Sequence, residues 1–403
     1  MTQPLNIVII SSDHYPDGGA SANRHLAWSR GLAEIGNTVT FILLAPQTQT
    51  HDSFQIDGVK FISAFKRNWF SGFAKSHSSL VPVPAVRRAR ALLKQMILYN
   101  QVDVVILLNT HVWLLKPFLG LCKKRKIKVI HERTEYPLIT IKRGFLSNIH
   151  YAIYRGSILQ RLDGLFVITE SLRRYFSEQL KSFIPIQVIN MMVDPSRFSI
   201  SDGKSEMGFG YIAYCGSMDI AKDGVDILIR AFGKALRMIR QPIDLRLLLI
   251  GSIPDNHLMK KYQQIIKESQ CEDRVVFTGS VRRESIPQLL QGADALALAR
   301  PESKQAEGGF PTKLGEYLAT GKPVVITNTG EISLFLQDGI NAFIANPGNV
   351  DSFVDKLILL FDDYPKAKEI GEKGKELVNN EFNYYTQAKR LNDFIGSILN
   401  TKP

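Results

Sequence analysis

Cysteine is scarce in this chain of 403 residues. Cys122, Cys215 and Cys271 lie far apart and are odd in number. They make neither a disulfide framework nor a zinc spacing, so a reducing, cytoplasmic setting is expected. Long apolar runs are missing as well. The nearest to one, Val102 to Cys122, is broken by Asp103, Asn109, His111 and Lys116. It falls short of the roughly 18 apolar residues that mark a membrane-spanning helix. The opening MTQPLNIVIISSDHYP has no basic n-region and no long h-region, so no secretory leader is expected. No Asp, His or Cys cluster stands at metal-ligand spacing, and no nucleic-acid recognition motif accompanies the positive charge.

What is present is an uneven charge. The net +12 comes from 50 Lys and Arg against 38 Asp and Glu. Residues 1–195 hold 24 of those cations against 12 acids, and residues 196–403 hold 26 against 26. The excess therefore sits in the first half. It suits an anionic partner such as a membrane surface, or a basic face that meets only solvent. Within that half, Trp69-Phe70-Ser71-Gly72-Phe73 lies among Lys66, Arg67 and Lys75. Val86 to Tyr99 follows, with Arg87, Arg88, Arg90 and Lys94. Aromatics beside cations and a basic amphipathic helix fit an anionic bilayer. A core helix with a solvated basic face fits equally.

Both halves alternate short apolar runs with helical stretches, the pattern of βαβ units and parallel sheets. In the first half the runs are Leu5–Ser11, Thr38–Leu44, Val102–Leu108, Lys128–His131 and Leu165–Ile168. In the second they are Tyr211–Cys215, Leu245–Gly251, Val275–Thr278, Ala295–Ala299 and Val324–Thr327. Each half opens with strand, glycine loop and helix. The fold class expected is α/β, two Rossmann-like domains with parallel sheets facing across a cleft. The domains are 1–195 (acceptor side), 196–380 (donor side) and a helix over 381–403 returning to the first domain.

The stretch EGGFPTKLGEYLATGKPVV, residues 307–325, carries the chemistry. Gly308 and Gly309 let backbone amides approach a ligand. Pro311 pre-sets the helix entrance, and Thr312 can cap it. The first-turn amides of Thr312, Lys313 and Leu314, with the helix dipole, make a site for phosphate. Glu316, one turn inside, can accept two hydrogen bonds from a ribose diol. Gly321 and Pro323 end the helix. Arg300 closes the strand Ala295–Ala299 just before this loop and offers a bidentate phosphate contact. In the first half, Asn109-Thr110-His111 and His131-Glu132-Arg133-Thr134-Glu135 follow strands, where open parallel sheets bind ligands. His111, His131 and Glu135 are the acceptor-side candidates, and His131 and Glu135 are also candidates to orient the reacting sugar.

These blocks resemble family 4 (group 1) retaining glycosyltransferases of the GT-B fold. Glu316-Tyr317-Leu318-Ala319-Thr320-Gly321-Lys322-Pro323-Val324 is similar to the second half of that family's two-glutamate signature. Gly18-Gly19 with Gly36-Asn37-Thr38-Val39 resembles its N-terminal glycine loop. Asn190 to Asp194 with Arg197-Phe198 resembles its linker, Lys222 its Lys-Gly helix, and Val276 to Gly279 with Ala293-Asp294 its nucleotide-edge blocks. The sequence departs at Gly308, where the first glutamate would stand and Glu307 is one residue off. It departs again at Ser217, after Gly216, where the family has arginine.

The resemblance implies a cytoplasmic hexosyltransferase working in cell-surface polysaccharide synthesis. The donor is a nucleotide-diphosphate sugar (UDP- or GDP-), the acceptor a glycan or lipid-linked glycan. It implies no metal or other cofactor. Donor-binding residues are then Gly19, Gly216, Ser217, Lys222, Gly279, Val281, Arg300, Glu307, Gly309, Phe310, Thr312, Lys313, Leu314 and Glu316. Lys222, Arg300 and Glu316 join His131 and Glu135 as the catalytic set. Two other readings remain: a nucleotide-sugar epimerase of the same architecture, and a two-lobed solute-binding protein.

Overall fold

A computed structural model describes residues 3–16, 18–47, 51–66, 81–137, 144–199, 207–239 and 244–401. The chain forms two compact units, Met1–Met192 with Tyr384–Pro403, and Val193–Asn383. Both are α/β units built on largely parallel sheets.

Unit 1 runs β1 (Asn6–Ser11), α1 (Gly19–Glu34), β2 (Thr38–Leu43), β3 (Ser53–Ile56), β4 (Val59–Ser63), α2 (Val83–Leu98), β5 (Val104–Leu107) and α3 (Val112–Lys124). It continues with β6 (Lys128–Arg133), α4 (Phe145–Ile153), β7 (Gly164–Val167), α5 (Glu170–Gln179) and β8 (Ile186–Val188). Unit 2 runs β9 (Gly210–Cys215), α6 (Ile220–Asp223), α7 (Val225–Leu236), β10 (Leu245–Ile250), α8 (Asn256–Glu268), β11 (Val275–Gly279), α9 (Ile286–Gln291) and β12 (Ala295–Leu298). It continues with α10 (Lys304–Gly308), α11 (Thr312–Ala319), β13 (Val324–Thr327), β14 (Phe343–Ala345), α12 (Val350–Asp362) and α13 (Tyr364–Leu377). The chain then returns to unit 1 as α14 (Tyr384–Asn400).

The unit 1 sheet has the order β3-β4-β2-β1-β5-β6-β7-β8. Its neighbours are parallel apart from β3, which pairs antiparallel with β4. Central strands such as β1 and β5 are buried runs of Val and Ile because helices cover both faces of a parallel sheet. Hydrophobic runs do not reveal the β3–β4 hairpin, whose first strand is only half-buried. Its signal is the two-residue Asp57-Gly58 turn, with φ of +48° and +79°. Two left-handed residues match the twist of a hairpin.

The core of unit 1 gathers Trp28, Phe41, Phe61, Tyr15 and Phe166 around β1 and β2. Helix α14 closes it. A Cβ on Gly31 of α1 would come 2.4 Å from that of Ala388, so the two helices approach as only glycine permits. Asn37 Nδ2 donates to Asn392 Oδ1 at 2.9 Å on the same contact.

The unit 2 sheet is parallel in every pair, ordered β11-β10-β9-β12-β13-β14. The chain winds outward from β9 to β11, then restarts beside β9 at β12. That reversal creates a crevice at the carboxyl ends of β9 and β12, the place where open α/β sheets take ligands. The corresponding reversal in unit 1 lies between β1 and β5.

Candidate functional site

At the unit 2 reversal, β9 ends in Gly216-Ser217 and β12 ends in Ala299-Arg300. The loop after β9 is held from three sides. Gly251, which ends β10 at φ +131°, would place a Cβ 2.0 Å from the Gly216 carbonyl oxygen. Gly279, ending β11 at φ +67°, accepts the Gly251 amide at 3.1 Å. A Cβ on Gly216 would meet Lys313 Nζ at 2.3 Å and the Tyr214 hydroxyl at 2.4 Å. The loops at Gly216 and Gly251 thus stack too closely for a side chain, whereas Gly279 has open space at its Cβ position and is set apart by its positive φ alone. Gly251 is a member that the motifs do not single out, although it terminates the run LRLLLIG. Val281 stands half-buried two residues beyond Gly279.

Below that loop lies a buried triad. Lys313 Nζ is 2.9 Å from Asp223 Oδ2 and donates to the Tyr214 hydroxyl at 3.2 Å. The Tyr214 hydroxyl donates to the same Asp223 oxygen at 2.7 Å. Burial pushes the Lys313 ammonium below its ordinary value, and Asp223 opposes that. The Lys313 side chain therefore supports the loop from beneath, and Asp223 and Tyr214 enter the site by pairing with it. Lys222 is exposed on α6, and its amide donates to the capping Asp219 at 3.1 Å.

The glycine loop is more structured than its composition suggests. Ser303 caps α10, accepting the Ala306 amide at 3.0 Å. Glu307 lies on that helix, 2.6 Å from Lys304 Nζ. Gly309 is extended, at φ −101° and ψ 157°. Phe310 is buried against Phe335 and Phe382, with ring centroids 5.6 Å away in each case. Thr312 does not cap α11: the cap position is Pro311, which has no donor or acceptor side chain, and Thr312 is the first helical residue. The Leu314 amide donates to the Pro311 carbonyl at 3.0 Å. The Thr312 and Lys313 amides are the first-turn groups with no acceptor inside the helix. Gly321 ends the helix region at φ +73°.

Glu316 faces Arg197, with Oε1 2.8 Å from Nη1, both partly buried. Arg197 sits on the turn Pro195–Phe198 that follows Asp194. Its place in the linker motif gives it no role by itself; folding brings it to Glu316. Arg300 is buried, its Nη2 3.4 Å from the Gln305 carbonyl and its own carbonyl accepting Thr327 Oγ1 at 2.6 Å.

In unit 1, Gly18 and Gly19 differ in purpose. A Cβ on Gly18 would meet the His14 carbonyl oxygen at 2.0 Å, whereas Gly19 takes φ +71°. His131 lies within β6, which runs on to Arg133 instead of ending at His131, and is fully buried, Nε2 donating to the Asn109 carbonyl at 3.0 Å and Nδ1 3.3 Å from the Tyr154 hydroxyl. Burial, reinforced by the Arg133 charge, pushes its imidazole down to about 3, so it is neutral. His111 is exposed at the start of α3, its ring 5.8 Å from that of His150. Glu135 is exposed, and its carbonyl accepts Arg133 Nη2 at 3.3 Å.

Between His131 and Glu135, sequence reasoning passes over the residue that organises the loop. Glu132 is buried, its Oε1 accepting Arg24 Nε at 2.8 Å, its Oε2 ion-paired with His25 Nε2 at 2.8 Å. Arg24 also donates to the Asn190 and Ile189 carbonyls at 2.6 and 2.7 Å. His25 Nδ1 reaches Asp13 at 3.2 Å and the Tyr15 hydroxyl at 2.9 Å. Burial alone would lower His25, but Glu132 and Asp13 outweigh it and raise it to about 9. Burial alone would raise Glu132, but Arg24 and His25 hold it at about 2.

Trp69, Phe70 and Phe73, with Arg67 and Lys75, lie outside the described residues. On α2, Arg87, Arg90 and Lys94 are exposed, and Arg88 pairs with Asp52 at 3.2 Å. Among the described residues, no helix is long and apolar enough to cross a membrane. Nor do three His, Cys, Asp or Glu side chains gather there in a metal-holding group.

Residues 210–363 match the family model described as Glycosyl transferases group 1. The chain is 28% identical over 158 residues to N-acetyl-alpha-D-glucosaminyl L-malate synthase of Bacillus anthracis, covering 39% of this chain and 38% of that protein. It is 26% identical over 255 residues to the GDP-mannose-dependent alpha-(1-6)-phosphatidylinositol monomannoside mannosyltransferase of Mycobacterium tuberculosis, covering 59% of this chain and 64% of that protein. The matches thus span less than two thirds of either relative. Anabaena Alr3699/HepE, solved in complex with UDP and glucose, superposes with a TM-score of 0.72 at 16% identity, over 98% of this chain and 100% of that one. The residues that match the Glycosyl transferases group 1 model hold the Gly216 loop, the Lys313 triad and Glu316, and along the whole chain the architecture is that of GT-B structures.

Proposed function

We propose that the protein moves a sugar from a nucleoside-diphosphate sugar to an acceptor hydroxyl with retention of anomeric configuration. The observation that carries this reading is the convergence at the β9/β12 reversal. The Gly216 backbone, the first-turn amides of α11, exposed Lys222 and the Glu316 carboxylate all belong to one unit there. In this reading the Thr312 and Lys313 amides and Lys222 hold the diphosphate, whose negative charge grows as it departs. Arg300 supplies the second cation near the strand ends, where Ser217 brings none. Glu316 takes the ribose diol, which competes with Arg197 for the carboxylate. Gly279 to Val281 line the base. UDP or GDP is the expected nucleotide. The Anabaena protein's complex with UDP and glucose supports the first, and the mycobacterial relative's GDP-mannose dependence the second.

Attack on the same face lets the departing phosphate oxygen take the acceptor's proton. The bond from the anomeric carbon to phosphate oxygen breaks as the bond to the acceptor oxygen forms, and no protein base is required. On unit 1, His111 and Glu135 are exposed and contact the acceptor. Neutral, buried His131 is a positioning residue that orients the Asn109-Thr110-His111 turn through the Asn109 carbonyl. The acceptor is a glycan or lipid-linked glycan of cell-surface polysaccharide synthesis.

Calorimetric titration of UDP and GDP into the protein and into Glu316→Ala and Lys222→Ala tests the reading. Loss of a hydrogen bond to a charged group costs about 1.5–3 kcal/mol, so affinity is expected to fall roughly ten- to a hundredfold in each variant. Unchanged affinity in both removes the site assignment.

A further inference from the structure

Alternation along β6 sends His131 and Arg133 to one face of the sheet and Glu132 to the other. Glu132 meets Arg24 and His25 there. Arg133 packs instead against α5 and the turn after α4, its guanidinium 5.7 Å from the centre of the Phe176 ring and 5.5 Å from that of Tyr154. It is only 7% exposed. A charge taken that far out of water needs a partner, and Arg24 in the same unit has one, with Glu132 and two carbonyls. Among the described residues no carboxylate pairs with Arg133. Its Nη2 donates one long bond, 3.3 Å, to the Glu135 carbonyl, and its buried Nε has no hydrogen-bond partner. Nε and Nη2 form the edge with which a guanidinium grips two oxygens of one anion. The aromatic rings attract the charge but leave that edge unsatisfied. For packing alone, an apolar side chain would fill the place at less cost.

The neighbours of Arg133 do not neutralise it. Buried His131 is neutral. His150 Nε2 accepts the Val112 amide at 3.0 Å, so its proton lies on Nδ1. Burial, then the His111 and Arg133 charges, hold that imidazole below its ordinary value. His111 is exposed, its ring 5.8 Å from that of His150. Glu135 gives this contact its backbone carbonyl, and its side chain is exposed. Arg133 ends β6, and His111 follows β5. Both strands present their carboxyl ends beside the β1/β5 reversal, where open parallel sheets take ligands.

We propose that Arg133 is an anion-binding residue of unit 1, taking an oxyanion on its Nε–Nη2 edge. Nη2 has a second N–H beyond the one given to Glu135, so the anion need not displace that carbonyl. Resting on the transferase reading, the acceptor then carries a phosphate or a carboxylate beside the hydroxyl that receives the sugar.

The test uses the full chain without donor. The probes are inorganic phosphate and malonate, with chloride at equal ionic strength as control. In protein isotope-labelled at arginine nitrogen, the Nε–Hε resonance of Arg133 should move with phosphate or with malonate and not with chloride. Whichever probe moves it at the lower concentration tells a phosphate subsite from a carboxylate one. Arg133→Lys keeps the charge and loses the fork. It identifies the resonance by its disappearance and should weaken the probe about tenfold. At ten times its dissociation constant the probe should raise the melting temperature of the wild type by about 3–6 °C, and the rise should be at least halved in Arg133→Met. A resonance that neither probe moves overturns the proposal. So does an equal rise in the wild type, Arg133→Lys and Arg133→Met, which places the bound anion elsewhere. Titration of UDP and GDP separates the two readings. A protein that binds nucleotide while the Arg133 resonance stays still loses the anion subsite alone. One whose Arg133 takes phosphate or malonate but which binds no nucleotide loses the transferase reading alone.

Discussion

Replacing Glu132 with Gln keeps the side-chain volume but removes the charge that holds Arg24 and His25. Both cations are buried, and each has its short contact at 2.8 Å with this one carboxylate. Breaking a buried ion pair from one side costs about 3–5 kcal/mol. The lower end applies here, because Arg24 keeps the Ile189 and Asn190 carbonyls and His25 keeps Asp13 and Tyr15. For a unit of this size 1 kcal/mol moves the melting temperature by about 2–4 °C, so unit 1 should melt roughly 6–12 °C lower. The loss has a pH signature. The folded value for Glu132, about 2, lies below its ordinary 4.5, so its contribution is full above 4.5 and fades as pH falls toward 2. The folded value for His25, about 9, lies above its ordinary 6.5, so its contribution is full below 6.5 and fades as pH rises toward 9. The gap between wild type and Glu132→Gln, followed by near-UV circular dichroism, should be widest between pH 4.5 and 6.5 and narrow toward 9. A gap below about 3 °C, or one that is constant across that range, refutes the reasoning.

Further outcomes are expected in unit 2. Asp223→Asn leaves Lys313 buried without its counter-charge; kcat should fall about tenfold or more while Lys313→Arg retains part of it, and equal loss in Lys313→Arg and Lys313→Met would show that charge at 313 is immaterial. Arg300→Lys should lower turnover at least about tenfold and Ser217→Arg partly restore it, since a bidentate phosphate grip is lost and regained; full activity of Arg300→Lys at saturating donor removes Arg300 from the diphosphate. Gly251→Ala sets a Cβ against the Gly216 carbonyl at a positive φ and should cost about 2 kcal/mol or more of stability, read by urea unfolding; an unchanged midpoint would mean that the stacked loops yield.

The alternation of apolar runs and helices determined two parallel α/β sheets, because burial on both faces leaves strands little choice but Val, Ile and Leu. The end of the helix over 312–319 was equally legible, since Gly321 and Pro323 act through local backbone geometry, whereas the helical turn over Lys304–Gly308 and the uncapped start at Pro311 were not. Local geometry does not tell which of several polar residues after a strand turns inward. In His131-Glu132-Arg133-Thr134-Glu135, strand alternation and the packing of α1 bury Glu132 against Arg24 and His25, more than a hundred positions away in sequence, and leave Glu135 exposed. The partners of Glu316 and Lys313, Arg197 and Asp223, likewise come from separate elements that only the folded unit 2 sheet brings within ion-pair distance.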